Sequence, residues 1–518
     1  MRHLKGVFQF IEKKPIVVLA GILFFIGWVY FPALHIFPMT DDYEWLNESY
    51  SGLSHPSQLF RLINGFSRPA IKLSYLLDYS FFGPSAVALA ATTLSIHLMN
   101  LILLYAFLRR AFKKASPALA ITLLYGITSW YDEVVLWTAA RPDSVLLLFS
   151  LIALLILSGG MPSWRRDIAL TLAIIGAAAS KETWLLLPVL LLLYQILIGQ
   201  RKVLLAIRDV GGPWLLFILY LGFPLINPAV TGTKGALSYI SISVKGVVEK
   251  LCYILFRYFG FGESFKKETW QILLVFVLSV AIFLFAVKRK NRIAMWGMAW
   301  MGVTLSQALI ITHLPSRYHY LPLVGFWTAV IAFIVFDGPY LLKKFRISHN
   351  LAVIPAAMAM VLFIIVQCGM IRLDIGDYHY YGEIHRALAK MAEKGSLLLD
   401  PRQPVLCINL GNRQGVNEFV NAIQGSRKLI FMRTHALWQV VFPGPLLNFA
   451  RRNDAPIWFS VPSETIEKTL KCPVQTLLFS DQGFRLDPSG SWTKLVYEHF
   501  LAKKSLPKRA WLLRASTP

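Results

Sequence analysis

Pro15-Ile-Val-Val-Leu-Ala-Gly-Ile-Leu-Phe-Phe-Ile-Gly-Trp-Val-Tyr-Phe-Pro-Ala33 carries no charged residue and is apolar almost without a break. A run of this length meets the roughly 20 residues that a helix needs to cross the hydrocarbon core of a bilayer. Arg2, Lys5, Lys13 and Lys14 precede it, and no small-residue cleavage pattern follows. The expectation is a retained anchor rather than a removed signal peptide. A few residues past its end comes Met39-Thr-Asp-Asp-Tyr-Glu-Trp-Leu-Asn47, with the adjacent carboxylates Asp41 and Asp42. Acids at a membrane edge are costly to keep and so are candidates for function.

The composition extends this reading to the whole chain. Its 518 residues are 56% hydrophobic and 15% charged, whereas a soluble domain carries about a quarter charged residues. Apolar runs recur, at 15–33, 86–108, 116–131, 143–159, 167–181, 183–199, 212–227, 270–288, 294–312, 319–336 and 351–370. The expected fold is an α-helical polytopic membrane protein with about 11 transmembrane helices. The net charge of +24 suits nucleic acid or anionic lipid. Many of the Lys and Arg residues sit in short loops between apolar runs, so the bilayer is the expected partner and nucleic acid is not. Cys252, Cys368, Cys407 and Cys472 have no metal-type spacing, and no glycine-rich phosphate loop is present.

Loop charge orients the chain. Basic residues collect near the N-terminus and around 109–114, 165–166, 201–208, 288–292 and 343–346, with few acids among them. By the positive-inside rule these segments are cytoplasmic. They share one side only if 248–262, which is short and contains Arg257, lies in the interface instead of spanning. This places a multi-pass protein in a plasma or inner membrane, with its N-terminus cytoplasmic and its C-terminus outside. The first outer loop, 34–85, contains two amphipathic stretches suited to interfacial helices. Residues 1–370 then form the membrane domain. Residues 371–518 form a small extracytoplasmic α/β domain, in which 404–410, 428–432, 456–461 and 476–480 read as strands. The stretches 416–423 and 462–470 read as helices. Cys407 and Cys472 either pair there or remain buried thiols.

Four segments on the outer side carry chemistry. Asp41 and Asp42 open the first loop, and Arg68 divides it. A solvated acidic turn is the ordinary reading of two adjacent acids. Against apolar surface, though, a carboxylate loses solvation and becomes suited to act as a base. The second segment, Trp130-Tyr-Asp-Glu-Val-Val-Leu-Trp-Thr-Ala-Ala-Arg-Pro-Asp143, sets Asp132, Glu133, Arg141 and Asp143 among aromatic and apolar residues; an ion-paired turn explains it equally well. Lys181-Glu182 and Ser316-Arg-Tyr-His-Tyr-Leu-Pro322 complete the set, with Arg317, Tyr318 and Tyr320 in the latter. Their plainer readings are a snorkelling lysine and an aromatic anchor. Together, one face holds candidate bases and candidate phosphate-binding cations. His97 and Asn100 lie inside a span, where a histidine more often links helices than binds a ligand.

The order of these elements resembles the GT-C superfamily of polytopic glycosyltransferases, in particular its protein O-mannosyltransferase and aminoarabinose-transferase branch. The matching pieces are Asp41-Asp42, Arg68-Pro69 with Leu76-Leu-Asp-Tyr79 and Phe82-Gly83, His97-Leu-Met-Asn100, Glu133 through Asp143, Ser180-Lys-Glu182, and Arg317-Tyr-His-Tyr-Leu-Pro322. They cover roughly residues 10–335. The tail shows no TPR-type repeat and departs from the O-mannosyltransferase relatives that carry one. The resemblance implies a donor sugar on a polyprenyl phosphate and an acceptor hydroxyl on a protein, glycan or lipid. Asp41 or Asp42 is then the catalytic base, with Asp41 favoured. Glu133, Arg141, Asp143, Lys181, Glu182, Arg317, Tyr318, Tyr320 and Arg68 line the substrate site. No cofactor is expected. A divalent metal, as in relatives using lipid diphosphates, would fall on Asp41, Asp132 and Glu133. A transporter or flippase of lipid-linked saccharide is the alternative, but it predicts acids near the bilayer midplane rather than at loop edges. A non-catalytic membrane scaffold presenting the tail leaves Asp41-Asp42 unexplained.

Overall fold

The computed structural model describes residues 2–39, 42, 45–46, 49, 52–53, 55–60, 67–83, 85–212, 214–215, 244–258, 269–310, 315–393, 404–409, 430–433, 457–458, 475–480 and 483–486. The chain divides into two compact units. One comprises Met1–Leu34, Leu59–Ser74 and Ala88–Gly376; the other comprises His35–Gln58, Tyr75–Val87 and Asp377–Pro518.

The first unit is helical. In chain order its elements are α1 (Arg2–Lys13), α2 (Pro15–Tyr30), the start of α3 (Pro69–Phe82), α4 (Ala86–Phe112), α5 (Ala115–Gly126), α6 (Glu133–Leu136), α7 (Arg141–Ser158), α8 (Ser163–Ala178), α9 (Leu187–Leu197), α10 (Val203–Asp209), α11 (Val244–Tyr258), α12 (Thr269–Lys288), α13 (Arg292–Ile310), α14 (Tyr320–Ala332), α15 (Gly338–Lys344) and most of α16 (His349–Glu393). Among the described residues, five stretches are long and apolar enough to cross a membrane: Pro15–His35, Ala86–Phe112, Thr138–Ser158, Ser316–Lys344 and Ile354–His379. By the length and composition of its helices the chain is a polytopic membrane protein. Shorter apolar helices at Ala115–Gly126, Glu182–Leu197 and Ser279–Lys288 fall on further expected spans. Most of the expected span 212–227 lies outside the described residues.

Local chemistry explains where the helices begin and how they meet. Pro15, Pro142 and Pro188 sit in the first turns of α2, α7 and α9, where a missing N–H goes unneeded. Asn291 opens α13 by accepting the Ala294 N–H at 3.1 Å, as an N-cap does. Its amide also donates to the Ala332 carbonyl at 3.2 Å and to Asp337 at 2.6 Å. Ala332 directly precedes a single π turn, Phe333–Asp337. Such turns leave backbone carbonyls in need of other partners. Between apolar helices the hydrophobic effect offers little, so close backbone approach and polar bridges decide the packing. Helices α13 and α14 show both. A Cβ on Gly297 would lie 2.7 Å from the Gly325 carbonyl, and Trp300 Nε1 donates to the Leu321 carbonyl at 2.8 Å. This crossing fixes the start of α14, where the Ser316–His319 turn leads in.

The segment expected to lie in the interface, 248–262, is helical through Tyr258. Tyr258 is buried and stacks on Trp130 at 5.4 Å.

In the second unit, Asp42 closes a turn on Met39: its carboxylate accepts the Met39 N–H at 2.9 Å and its own N–H donates to the Met39 carbonyl at 3.1 Å. Arg386, near the end of α16, donates to the His35 carbonyl at 2.9 Å and covers Phe37. Among the described residues, five strands form one mixed sheet, in the order β3 (Ile457–Trp458), β2 (Ile430–Arg433), β1 (Pro404–Asn409), β4 (Gln475–Ser480), β5 (Gly483–Leu486). The β1–β4 pairing is parallel, with Cys407 opposite Leu477, and the other pairings are antiparallel. Four of these strands fall on apolar runs expected to be strands, and β5 falls on none. The two expected tail helices and Cys472 lie outside the described residues.

Candidate active site

In the first unit, three turns and one loop end meet through ion pairs between residues far apart in sequence. Arg68, just before α3, makes a two-pronged contact with Glu182. Its Nε and Nη2 donate to Oε1 and Oε2 at 2.9 and 2.8 Å, the geometry that suits a guanidinium to a carboxylate. The neighbouring Lys181 turns the other way and places Nζ 2.5 Å from Asp143 Oδ1, with both side chains buried. Asp143 lies in the first turn of α7, where the positive end of the helix favours an acid. Glu133 opens α6 and takes the Arg317 turn. It accepts from the Arg317 guanidinium, from the Arg317 backbone N–H at 3.0 Å and from Ser316 Oγ at 3.2 Å.

Tyr318 lies between two of the cations. Lys181 Nζ is 4.8 Å from its ring centre and the Arg317 guanidinium carbon 5.8 Å. Arg317 also lies 5.5 Å from the Trp137 ring. Aromatic faces attract such cations. The ring thus gathers two positive groups that two turns deliver, each paired with a carboxylate of the 133–143 segment.

The turn itself is anchored from behind. His319 Nδ1 and the Tyr258 hydroxyl are hydrogen-bonded at 2.8 Å. Tyr320 is fully buried. Its hydroxyl accepts from Asn100 Nδ2 at 3.1 Å and meets His97 Nδ1 at 2.9 Å. Its carbonyl accepts from the Tyr125 hydroxyl at 3.1 Å. His97 therefore links helices, the commoner role for a histidine inside a span.

Arg141, expected among the phosphate-binding cations, is fully buried. Its guanidinium donates to Thr93 Oγ1 at 3.2 Å, Ser74 Oγ at 3.0 Å and the Leu89 carbonyl at 2.9 Å. In this arrangement it braces α7 against α3 and α4. Sequence reasoning missed Trp137, Tyr258 and His319. Trp137 meets Arg317 from 180 residues away, so no local pattern points to it.

Asp42 is buried in the second unit, with the turn-closing bonds given above. Asp41 lies outside the described residues. Asp132 is half-buried at the start of α6. Among the described residues, no three His, Cys, Asp or Glu side chains are grouped to hold a metal.

No protein-family model matches the chain, and no curated protein matches it significantly. Among solved structures it is similar to ArnT from Cupriavidus metallidurans bound to undecaprenyl phosphate. That match has a TM-score of 0.43 and 12% identity, over 90% of this chain and 93% of that one. The apo form of the same protein matches at a TM-score of 0.36 and 14% identity, over 89% and 92%. A likeness of this size assigns neither activity nor site.

Proposed function

We propose that this chain is a membrane glycosyltransferase. It moves a sugar from a polyprenyl-phosphate donor to a hydroxyl of a protein, glycan or lipid on the non-cytoplasmic face. The observation that carries the reading is the pair of cations, Lys181 and Arg317, gathered on Tyr318 at the edge of the apolar helices. A lipid phosphate needs this arrangement: its charge stays at the membrane surface and its chain stays in the hydrocarbon. The ordered series of motifs from Asp41 to Pro322 points the same way.

The reaction needs three things. A base, Asp41 or Asp42, removes the acceptor proton. The freed oxygen pair attacks the anomeric carbon as the bond to the phosphate oxygen breaks, so the configuration inverts. The leaving polyprenyl phosphate carries away the bonding pair and requires charge stabilisation rather than a proton. Cations held in place in a low-dielectric setting supply that stabilisation without reorganising. Arg68 and Glu182 keep the Lys181 turn in place, and Arg141 braces α7. Holding donor and acceptor together adds the proximity effect. Glu133 gives its carboxylate to Arg317 and Ser316, which speaks against its use as a metal ligand and favours a metal-free reaction. Residues 1–370 form the catalytic domain and 371–518 an extracytoplasmic α/β domain, with the N-terminus cytoplasmic.

The test is turnover by purified protein in nanodiscs, supplied with polyprenyl-phosphate sugars and mixed hydroxyl acceptors. Release of free polyprenyl phosphate, lost in either Asp41→Asn or Asp42→Asn, is the expected result. Movement of the lipid-linked sugar between leaflets without any release would establish a transporter instead.

A further inference from the structure

We infer that Asn100, with His97, is a positioning node that holds the two cation-bearing limbs of the site in register. The inference rests on the reading of this site as one for lipid phosphate. One limb is the start of α7, where Asp143 holds Lys181; the other is the Ser316–Tyr320 turn, which carries Arg317 and Tyr318. Asn100 lies on α4, fully buried, and its single amide nitrogen reaches both limbs. It donates to the Ser144 carbonyl at 2.8 Å, one residue past Asp143, and to the Tyr320 hydroxyl at 3.1 Å. An amide nitrogen carries two hydrogens, so both bonds form at once. The Tyr320 hydroxyl accepts one of them and has one hydrogen to give. His97 Nδ1 lies 2.9 Å from that hydroxyl, a bond that either neutral imidazole tautomer can make. One turn of α4 thus fixes the spacing between Lys181 and Arg317 without itself bearing charge.

The Asn100 amide gives both of its hydrogens to the two limbs and keeps an acceptor unused. Asn100 Oδ1 is buried without a hydrogen-bond partner. An unsatisfied acceptor in an apolar interior costs free energy, and an apolar residue of similar volume avoids that cost. Leucine would fill the volume without that cost and without either bond. The donor geometry toward both limbs is what leucine lacks.

The test uses the full-length protein in nanodiscs, with Asn100→Leu, the near-isosteric Tyr320→Phe, His97→Leu and the conservative His97→Asn. Two readouts are taken on each. The first is affinity for polyprenyl phosphate without sugar. The second is hydrogen exchange of the 316–320 backbone amides with no lipid added. Asn100→Leu and Tyr320→Phe are expected to keep the thermal midpoint within a few degrees, to weaken lipid-phosphate binding by about tenfold, and to speed exchange in the turn. His97→Leu should do the same, and His97→Asn, which offers a polar atom near the Nδ1 position, should restore both. Unchanged exchange in Asn100→Leu and Tyr320→Phe overturns the node, as does equal impairment by His97→Leu and His97→Asn. If the wild type binds no polyprenyl phosphate while the turn still loosens in the variants, the node stands and the lipid-phosphate reading falls.

Discussion

The Lys181 ammonium rests 4.8 Å from the centre of the Tyr318 ring. The Arg317 guanidinium approaches the same ring at 5.8 Å. The aromatic side chain therefore sets where two positive groups converge, and its hydroxyl is not needed for that. Tyr318→Phe should leave polyprenyl-phosphate affinity within a factor of about two. Tyr318→Leu removes the ring face and should weaken binding about 2- to 30-fold, the equivalent of about 0.5–2 kcal/mol. Titration of purified protein with lipid phosphate measures both. Equal affinities for the leucine variant and the wild type would remove Tyr318 from the site.

Lys181 and Asp143 form a buried pair 2.5 Å apart. Removing one partner strands the other as an uncompensated charge. Lys181→Met alone should cost about 3–5 kcal/mol of stability. Combining it with Asp143→Leu should recover most of that loss while leaving lipid-phosphate binding impaired. Thermal unfolding in detergent gives the first quantity, and titration gives the second. This separation matters because a single Lys181 variant mixes lost binding with lost folding.

Arg317 is held by Glu133 through both its guanidinium and its backbone, and it lies over Trp137. Lysine has neither the planar fork nor the stacking face. Arg317→Lys should therefore reduce transfer by about tenfold or more, despite the conserved charge. Transfer at the wild-type rate in this variant would show that only net charge matters there.

How much of this was readable beforehand follows from what each residue answers to. The helices were legible because membrane spans are written as local composition. The turns of the site were legible as places where charge meets apolar sequence. The partners were not. Arg317 and Glu133, like Arg68 and Glu182, are joined by the path of the chain, which no local pattern encodes. Arg141 is a candidate phosphate-binding cation by type and position. That three of its bonds go to Thr93, Ser74 and the Leu89 carbonyl is visible only from the packing of α3 and α4 against α7. The short helices, such as Ala115–Gly126, also show that an apolar run sets an upper bound on helix length rather than fixing it.

The crossing of α13 and α14 is intolerant of added volume. A Cβ at Gly325 would sit 2.6 Å from the Met301 nitrogen and also meet the Gly297 carbonyl, both of them backbone atoms. Neither can give way without parting the helices. Gly325→Ala should cost about 2 kcal/mol or more and disturb the Ser316–His319 turn. Gly302, on the same helix as Gly297, has open space around it. Gly302→Ala should be neutral or stabilising by up to about 1 kcal/mol. Paired thermal melts of the two variants provide the comparison.

Glu12 caps α5 from the end of α1, accepting the Ala115 and Ser116 N–H groups at 3.0 and 2.9 Å. Burial pushes its carboxyl up, but those N–H groups and the charge of Lys114 outweigh it and leave the carboxyl below its ordinary value. A carboxyl lowered in the folded state adds stability above its unfolded pKa. That stability disappears as pH falls through the folded pKa. Glu12→Gln should therefore lower stability slightly at neutral pH, by under about 1 kcal/mol given its exposure, read as a small drop in the thermal midpoint. The difference should close on acidification below the ordinary carboxylate range. A gap that stays constant with pH would show that the charge on Glu12 does not contribute.

On the proposed function, Lys181 and Arg317, brought together on Tyr318, receive the phosphate of a polyprenyl lipid. The most direct test of this is an experimental structure of the protein with polyprenyl phosphate bound. Phosphate density is expected within about 4 Å of both Lys181 Nζ and the Arg317 guanidinium nitrogens, the reach of charge-assisted hydrogen bonds. Phosphate density at the bilayer midplane, or at a site that leaves both cations on their carboxylates, would contradict it.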